Sequence, residues 1–363
     1  MVANAKTGAI LASSTYPTFD PNLRDMTNYL DYNISYAYEP GSTMKIFSYM
    51  ATMENGEYNG SEKYTSGVYK TKDGTEIGDW LRSGWGKITY DQGFALSSNV
   101  GVINLINKHL NGNLLMDYYK KLGFGSKTNI ELANEVSGKL AFKYETEVFN
   151  AGFGQGITTT PIQNIKALTS ISNNGTLLQP YIIDKIVDQN TGKVIYKGEK
   201  KELEKVASTE TVSKIKDLME SVINGNSRTS TGYYYYMDGY DIIAKTGTAQ
   251  IARESGKGYY NNQVIRGFAG MFPKDNPEVI MYVAAKNPSS TKLMSEVVKE
   301  IVKNTSNYLG IYNGKKEENK NLTNYTLDSY INNNVDTVKD TLTRNKINVV
   351  VIGNGNRITV QYP

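Results

Sequence analysis

A serine and a lysine three residues apart, Ser42-Thr43-Met44-Lys45, form the first element of this chain that could do covalent chemistry. On a helix that spacing puts both side chains on one face, so the amine can reach the hydroxyl. A neutral lysine can take the serine proton, provided burial or a second cation lowers its pKa. The helix N-terminus adds a positive dipole that favours a developing oxyanion. Two more elements have similar character: Ser97-Ser98-Asn99, and Lys245-Thr246-Gly247-Thr248 at the end of the apolar run Ile242-Ile243-Ala244. Patterns this short recur by chance. Ser213 to Lys216 falls inside an amphipathic helix pattern, Ser289 to Lys292 in a Pro-Ser-Ser-Thr turn, and Ser172-Asn173-Asn174 and Lys6-Thr7-Gly8 are further decoys. These read as solvated or turn residues. Order and context set the first three apart: one opens a helix after Pro40-Gly41, and the last sits on a strand.

Two small counts narrow the chemistry further. The 363 residues contain no Cys and one His, His109. That excludes thiol nucleophiles, disulfides, zinc–thiolate and multi-histidine metal sites, and leaves Lys, Glu, Asp or Tyr as a base. Neither a metal nor a cofactor is called for. His109, near a helix end, reads as an exposed cap residue. Forty Lys and Arg against 36 Asp and Glu give a net charge of +4, too balanced to indicate nucleic-acid binding. With 39% hydrophobic and 21% charged residues the chain reads as folded. No run of 18 apolar residues is present, and no signal peptide is visible. The chain opens in mid-hairpin, as an excised fragment would, so its start says little about where the parent protein lives.

The elements that must position these residues are legible in outline. Helices are expected over 42–55, 209–223 and 294–309, the last two bounded by apolar helical spacing and by Gly310. Strands are expected over 181–187, 194–196, 242–245 and 279–284, with a turn at Asn190-Thr191-Gly192 and a hairpin at the start of the chain. The four tyrosines 233–236 read as a loop. Residues 1–310 form one large domain. The polar stretch 311–321 reads as a linker. Residues 322–363 form a small unit with a helix near 335–344, strands over 347–352 and 357–361, and a Gly353-Asn354-Gly355-Asn356 turn.

The three motifs together are those of β-lactamases and penicillin-binding proteins, and the chain resembles the transpeptidase domain of a class B penicillin-binding protein of the cell-division type. The likeness extends to Thr7-Gly8-Ala9-Ile10-Leu11-Ala12, to 16–22, to Tyr38-Glu39-Pro40-Gly41 before the nucleophile, to Gly152-Phe153-Gly154-Gln155-Gly156 with Thr160-Pro161-Ile162-Gln163, and to Gly267-Phe268-Ala269-Gly270 with Phe272-Pro273. The tail, through 349–355 and 358–363, resembles a PASTA module. The resemblance implies an α/β (α+β) penicillin-recognising serine transpeptidase fold, a central antiparallel sheet flanked by helices. It makes Ser42 the acylated nucleophile, Lys45 its base and Ser97 a proton relay. Asn99 binds the substrate peptide. Lys245 holds Ser97 and the substrate carboxylate, and its proximity helps keep Lys45 neutral. Thr246 and Thr248 bind that carboxylate through their hydroxyls, and the backbone N–H groups of Ser42 and Thr248 form the oxyanion hole. Gly247 is expected to be small because substrate lies along this strand edge.

The activity this implies is peptidoglycan D,D-transpeptidation, in which an acyl-enzyme on Ser42 releases D-Ala and is resolved by a stem-peptide amine. β-Lactams are the implied covalent inhibitors, and a wall polymerase of the division or elongation machinery the implied partner. The implied location is the extracytoplasmic face of a Gram-positive-type membrane, with anchoring by a segment absent from this chain. Two other readings stay open on the residues alone: a D,D-carboxypeptidase or slow β-lactamase, and a non-catalytic wall-binding or β-lactam-sensing module. Glu131 and Glu135 do not have the spacing of a deacylating glutamate, which predicts a long-lived acyl-enzyme with β-lactams.

Overall fold

The structure is a computed structural model and describes residues 1–18, 22–23, 28–253, 258–312, 315–316, 326–344, 347 and 349–361. It divides into two compact units, Met1–Glu317 and Glu318–Pro363.

The first unit is built on a five-stranded antiparallel sheet of β1 (Val2–Asn4), β2 (Ile10–Ala12), β3 (Ile243–Ala252), β4 (Tyr259–Phe272) and β5 (Val279–Lys286), in the order β3-β4-β5-β1-β2. The strands alternate as a sheet covered on both faces must. Ile243, Ile265, Ala269, Met271, Ile280 and Tyr282 turn to one side, into the larger core. Ala244, Phe268, Phe272, Val279 and Met281 turn to the other. The larger core is completed by helices that include α1 (Lys45–Glu54), α2 (Asn99–His109), α3 (Pro161–Ser172) and α4 (Thr209–Ile223). The opposite face is covered by α5 (Thr291–Leu309), through Met294, Val298 and Val302 at four-residue spacing.

Local chemistry sets the helix ends. The expected helix at 42–55 forms as a 3-10 turn, Gly41–Met44, running into α1, with Asn55 as its C-cap. Ser208 caps α4 by accepting from Thr211 N. The third expected helix starts three residues early, at Thr291, because Ser290 caps it through Leu293 N, and ends where Gly310 turns left-handed at φ 68°. Strand lengths differ more. The strand expected at 242–245 runs to Ala252, and only Lys185–Val187 forms in the run expected at 181–187. The Asn190-Thr191-Gly192 turn forms, with Asp188 Oδ1 accepting from Asn190 N and Thr191 N. The opening hairpin also forms, its turn held by Asn4 Oδ1.

In the stretch expected as a linker, Ile311–Tyr312 pairs with Lys315–Lys316; 313–314 and 317–321 lie outside the described residues, as do 19–21 of the early loop. In the second unit the expected helix forms as α6 (Val335–Arg344), capped by Asn334 and burying Val338 and Leu342. The expected hairpin does not form among the described residues. The segments 349–352 and 357–361 make no ladder, only an isolated Asn334–Arg357 bridge. Val350, Ile352 and Val360 are largely exposed: so short a unit has no second layer against which two strands can bury a face. Positions 345–346, 348 and 362–363 lie outside the described residues.

Candidate active site

The segment carrying Ser42 is fixed by close backbone packing. Gly41 has φ 58°, and its N–H donates to Gly154 O at 3.0 Å. A Cβ on Gly41 would stand 2.9 Å from Thr248 O, and one on Gly154 only 2.2 Å from Gly41 O. The turn carrying Ser42 is thus wedged between the 152–156 loop and the edge strand β3. Gly247 belongs to the same wedge. Its Cβ would meet Pro40 O and Thr43 Cγ2, both at 3.0 Å, so its smallness serves the seating of the Ser42 turn behind the strand.

The second motif sits at a helix start. Ser97 has φ 59°, unusual for a residue with a Cβ and characteristic of sites where the surroundings over-determine the backbone. Ser98 caps α2 by accepting from Gly101 N at 2.9 Å, and Asn99 is its first residue. The loop before it supplies Asp79, which sequence reasoning missed. Buried, Asp79 accepts from Ser98 Oγ (2.9 Å), Val100 N (3.0 Å) and Gly67 N (2.8 Å). Asn99 Nδ2 donates to the neighbouring Gly78 O at 2.9 Å. Trp80, 65% exposed, anchors to Leu96 O through Nε1 at 3.1 Å.

The three motifs meet at one atom. Ser97 Oγ accepts from Lys45 Nζ at 3.2 Å and from Lys245 Nζ at 2.9 Å. Lys45 also donates to Ser97 O (2.5 Å) and Asn99 Oδ1 (2.8 Å), and Lys245 to Thr246 O (3.0 Å). Both lysines are fully buried. Burial pushes the Lys45 amine down to about 7, against the opposing pull of the Asp79 carboxylate. Lys245 lies well below the usual lysine range, through burial first and the Lys45 charge second. The two amines repel across one hydroxyl, so the site favours a neutral amine. A neutral lysine nitrogen accepts a proton, which an ammonium cannot. Ser42 Oγ has no hydrogen-bond partner among the described residues, and Lys45 is turned toward Ser97 and Asn99 rather than to it.

On β3, alternation sends Lys245 and Gly247 inward and Thr246 and Thr248 to the other face. Thr246 Oγ1 is 2.9 Å from Thr231 Oγ1, and Thr231 N donates to Ala95 O at 3.1 Å. Thr231 thereby ties the third motif to the helix that precedes the second. No spacing in the sequence signals Thr231 or Asp79; an Asp-Trp pair in a loop is the only hint at the latter.

Other polar and aromatic residues of the sequence fall elsewhere. Glu135 is buried and accepts from Thr128 N, Thr128 Oγ1 and Asn129 N, while Glu131 accepts from Ile182 N and Tyr196 Oη. Both are engaged with local structure. His109, read as exposed, has a side chain only 17% accessible, packed beside Glu62. Of the four tyrosines, 233–235 make a 3-10 turn, and Tyr235 is buried with its ring 4.7 Å from Phe268.

Known proteins resemble this chain over most of its length. Residues 1–307 match the penicillin binding protein transpeptidase domain. Stage V sporulation protein D of Bacillus subtilis is 33% identical over 379 residues, covering 99% of this chain and 57% of the relative. Peptidoglycan D,D-transpeptidase FtsI of Escherichia coli is 28% identical over 305 residues, 80% of this chain and 47% of the relative. Among solved structures, Penicillin Binding Protein 2X from Streptococcus thermophilus superposes with a TM-score of 0.74 at 29% identity, covering 99% of this chain and 55% of that one. The chain spans about half the length of these relatives. With a Ser-x-x-Lys turn, a Ser-x-Asn helix start and a Lys-Thr-Gly edge strand converging on one hydroxyl, this chain belongs to the penicillin-binding protein transpeptidase family.

Proposed function

We propose that this chain carries the acyl-transfer site of a peptidoglycan D,D-transpeptidase, acting on stem peptides that end in D-Ala-D-Ala. The observation that carries the reading is the convergence of Lys45 and Lys245 on the Ser97 hydroxyl, with Lys45, one helical turn from Ser42, also donating to Ser97 O and Asn99 Oδ1. Ser42 Oγ attacks the penultimate D-Ala carbonyl as the neutral Lys45 amine takes its proton. The N–H groups of Ser42 and Thr248 hold the oxyanion; one such donor is typically worth about 10²–10³ in rate. Ser97 passes a proton to the departing nitrogen, the C–N bond breaks and D-Ala leaves. An amine from a neighbouring stem peptide then attacks the ester, gives its proton back through Lys45, and frees Ser42. Asn99 binds the peptide chain of the donor, and Thr246 and Thr248 its carboxylate.

Three further assignments rest on resemblance. β-Lactams acylate Ser42 and leave slowly, since Glu131 and Glu135 are both spent on local structure. The site works on the outer face of the membrane of a Gram-positive-type cell, beside a wall polymerase. The stretch 322–363 is a PASTA-like module, supported by α6 and by the likeness at 349–355 and 358–363.

Labelling with a fluorescent penicillin, read by intact mass on wild type and Ser42→Ala, tests the core of this. One covalent adduct is expected on wild type and none on Ser42→Ala; equal labelling sinks the nucleophile. Release of D-Ala with no crosslinked product in the presence of an acceptor amine would mark a carboxypeptidase instead.

A further inference from the structure

Tyr64 lies on a three-residue strand, Lys63–Thr65, outside the five-stranded sheet. That strand pairs with Lys87–Thr89, which runs straight into the helix Tyr90–Ala95. The Tyr64 side chain is buried, its ring stacked on Tyr90 at 5.1 Å. Its hydroxyl enters a slot between two glycines. A Cβ on Gly93 would stand 2.2 Å from Tyr64 Oη, and one on Gly101 2.7 Å from it. Gly93 belongs to the helix Tyr90–Ala95 and Gly101 to α2. Neither has a left-handed backbone, so the room left by their missing methyl groups is taken by the phenol oxygen.

The same two glycines hold Ser98. Ser98 N donates to Gly93 O at 2.8 Å, and Ser98 Oγ accepts from Gly101 N at 2.9 Å. Ser98 directly follows Ser97, whose φ of 59° is imposed by its surroundings and whose Oγ receives both lysine amines. Burial pushes the Tyr64 hydroxyl above the usual tyrosine range, opposed by the Ser98 side chain nearby, and no hydrogen bond of normal geometry holds it. A buried hydroxyl left in that state is costly. A phenylalanine would bury the same ring without the cost. What phenylalanine lacks is the atom between the glycines.

We propose that Tyr64 is a positioning residue for the acyl-transfer site. Its hydroxyl is a spacer that sets the gap between Gly93 and Gly101, and through Ser98 it sets the seat of Ser97 between Lys45 and Lys245. This rests on the acyl-transfer reading above. Asp79, from the same segment between α1 and the helix Tyr90–Ala95, grips Ser98 Oγ by a hydrogen bond, so that segment holds one residue by a polar contact and a steric one.

The test exchanges the oxygen for a methyl group on the opposite wall, using the full chain with Tyr64→Phe, Gly93→Ala and the two combined. Gly93 has helical backbone, where alanine is the better helix former, so the added methyl group harms only by striking Tyr64. Acylation by a fluorescent penicillin is followed over a range of concentrations, beside thermal melts. Tyr64→Phe is expected to melt no lower than wild type, since it sheds an unsatisfied hydroxyl. Its maximal acylation rate is nonetheless expected to fall about tenfold, with the half-saturating concentration within about twofold, given that misplacing a group by about 1 Å can cost 10²-fold. Gly93→Ala loses at least as much. The double variant recovers to within about threefold of wild type, because the methyl group fills the space that the oxygen left. Tyr64→Phe combined with Gly101→Ala makes the same exchange from the other wall, should the first pair fold poorly. A wild-type rate in Tyr64→Phe overturns the proposal. So do losses that add in both double variants, or that track melting temperature throughout. Absence of any adduct on wild type overturns the acyl-transfer reading itself, and this inference with it.

Discussion

In the proposed mechanism Lys45 sets the pH dependence of the site, and the sign follows from its surroundings. Its amine titrates near 7 in the folded protein because burial disfavours the ammonium, and the Asp79 carboxylate holds it from falling further. The reacting form is neutral, so the rate of penicillin acylation is expected to rise with pH through about 7. Asp79→Asn removes the opposing charge and moves that rising limb to lower pH; a limb that stays in place in the variant refutes the coupling. Stability carries the same signature. The unfolded lysine keeps its proton to about 10.5, so between about 7 and 10.5 the unfolded state binds more protons and folding strengthens as pH rises. Wild type is expected to gain about 2 kcal/mol on Lys45→Met between pH 7 and pH 9, given about 1.4 kcal/mol per unit, measured by denaturant unfolding at both values. A constant gap between the two proteins refutes it. Ser42, Lys45, Ser97, Asn99 and Lys245 were legible from sequence because their types are rare in combination and their spacing is local. Asp79 and Thr231 were not, since each touches a motif far from it in sequence and only the fold brings them together.

The elements hold these residues through contacts too tight for a Cβ. Gly154 shows this most sharply, with φ 80° and the Gly41 carbonyl where a methyl group would stand. Gly156, two residues on, has a similar φ of 74° but nothing within 4 Å. Gly156→Ala bears only the backbone strain, about 1 kcal/mol. Gly154→Ala must also push the nucleophile turn away from its seat, for a total of about 3 kcal/mol or more. Thermal melts should separate the two variants, and Gly154→Ala alone should slow acylation, because the displaced segment carries Ser42. Equal melting temperatures and rates would show that the wedge is soft. Helices were readable in the sequence because apolar spacing marks α4 and α5 and Gly310 ends α5, whereas the Ser290 cap, which starts α5 at Thr291, was not read. The long strands were not readable in full. β3 beyond Lys245 alternates small and polar residues, Thr246 to Gln250, that suit an edge strand but give no hydrophobic signal.

At the scale of the molecule, the site depends on one unit. Both hydrophobic cores are assembled from residues between Met1 and Ile311, and the three motifs at 42, 97 and 245 all lie within them or at their border. The second unit buries Val338 and Leu342 in a single short helix and leaves Val350, Ile352 and Val360 exposed. A unit of that size gains little from its own burial. The boundary was visible in sequence as a polar stretch, 313–321, without apolar residues, whereas the lack of strand pairing among the described residues of the tail was not, because their alternation satisfies a strand pattern and only the lack of a packing layer argues against it. A chain ending at residue 317 is therefore expected to melt within a few degrees of the full chain and to be acylated by penicillin at the same rate within about twofold, since neither the cores nor the Ser97 hydrogen bonds lose a member. Melting curves and acylation rate constants of the two chains decide it. A fall of tenfold or more in the rate at an unchanged melting temperature would assign the second unit a direct part in shaping the site, which the composition of the two cores argues against.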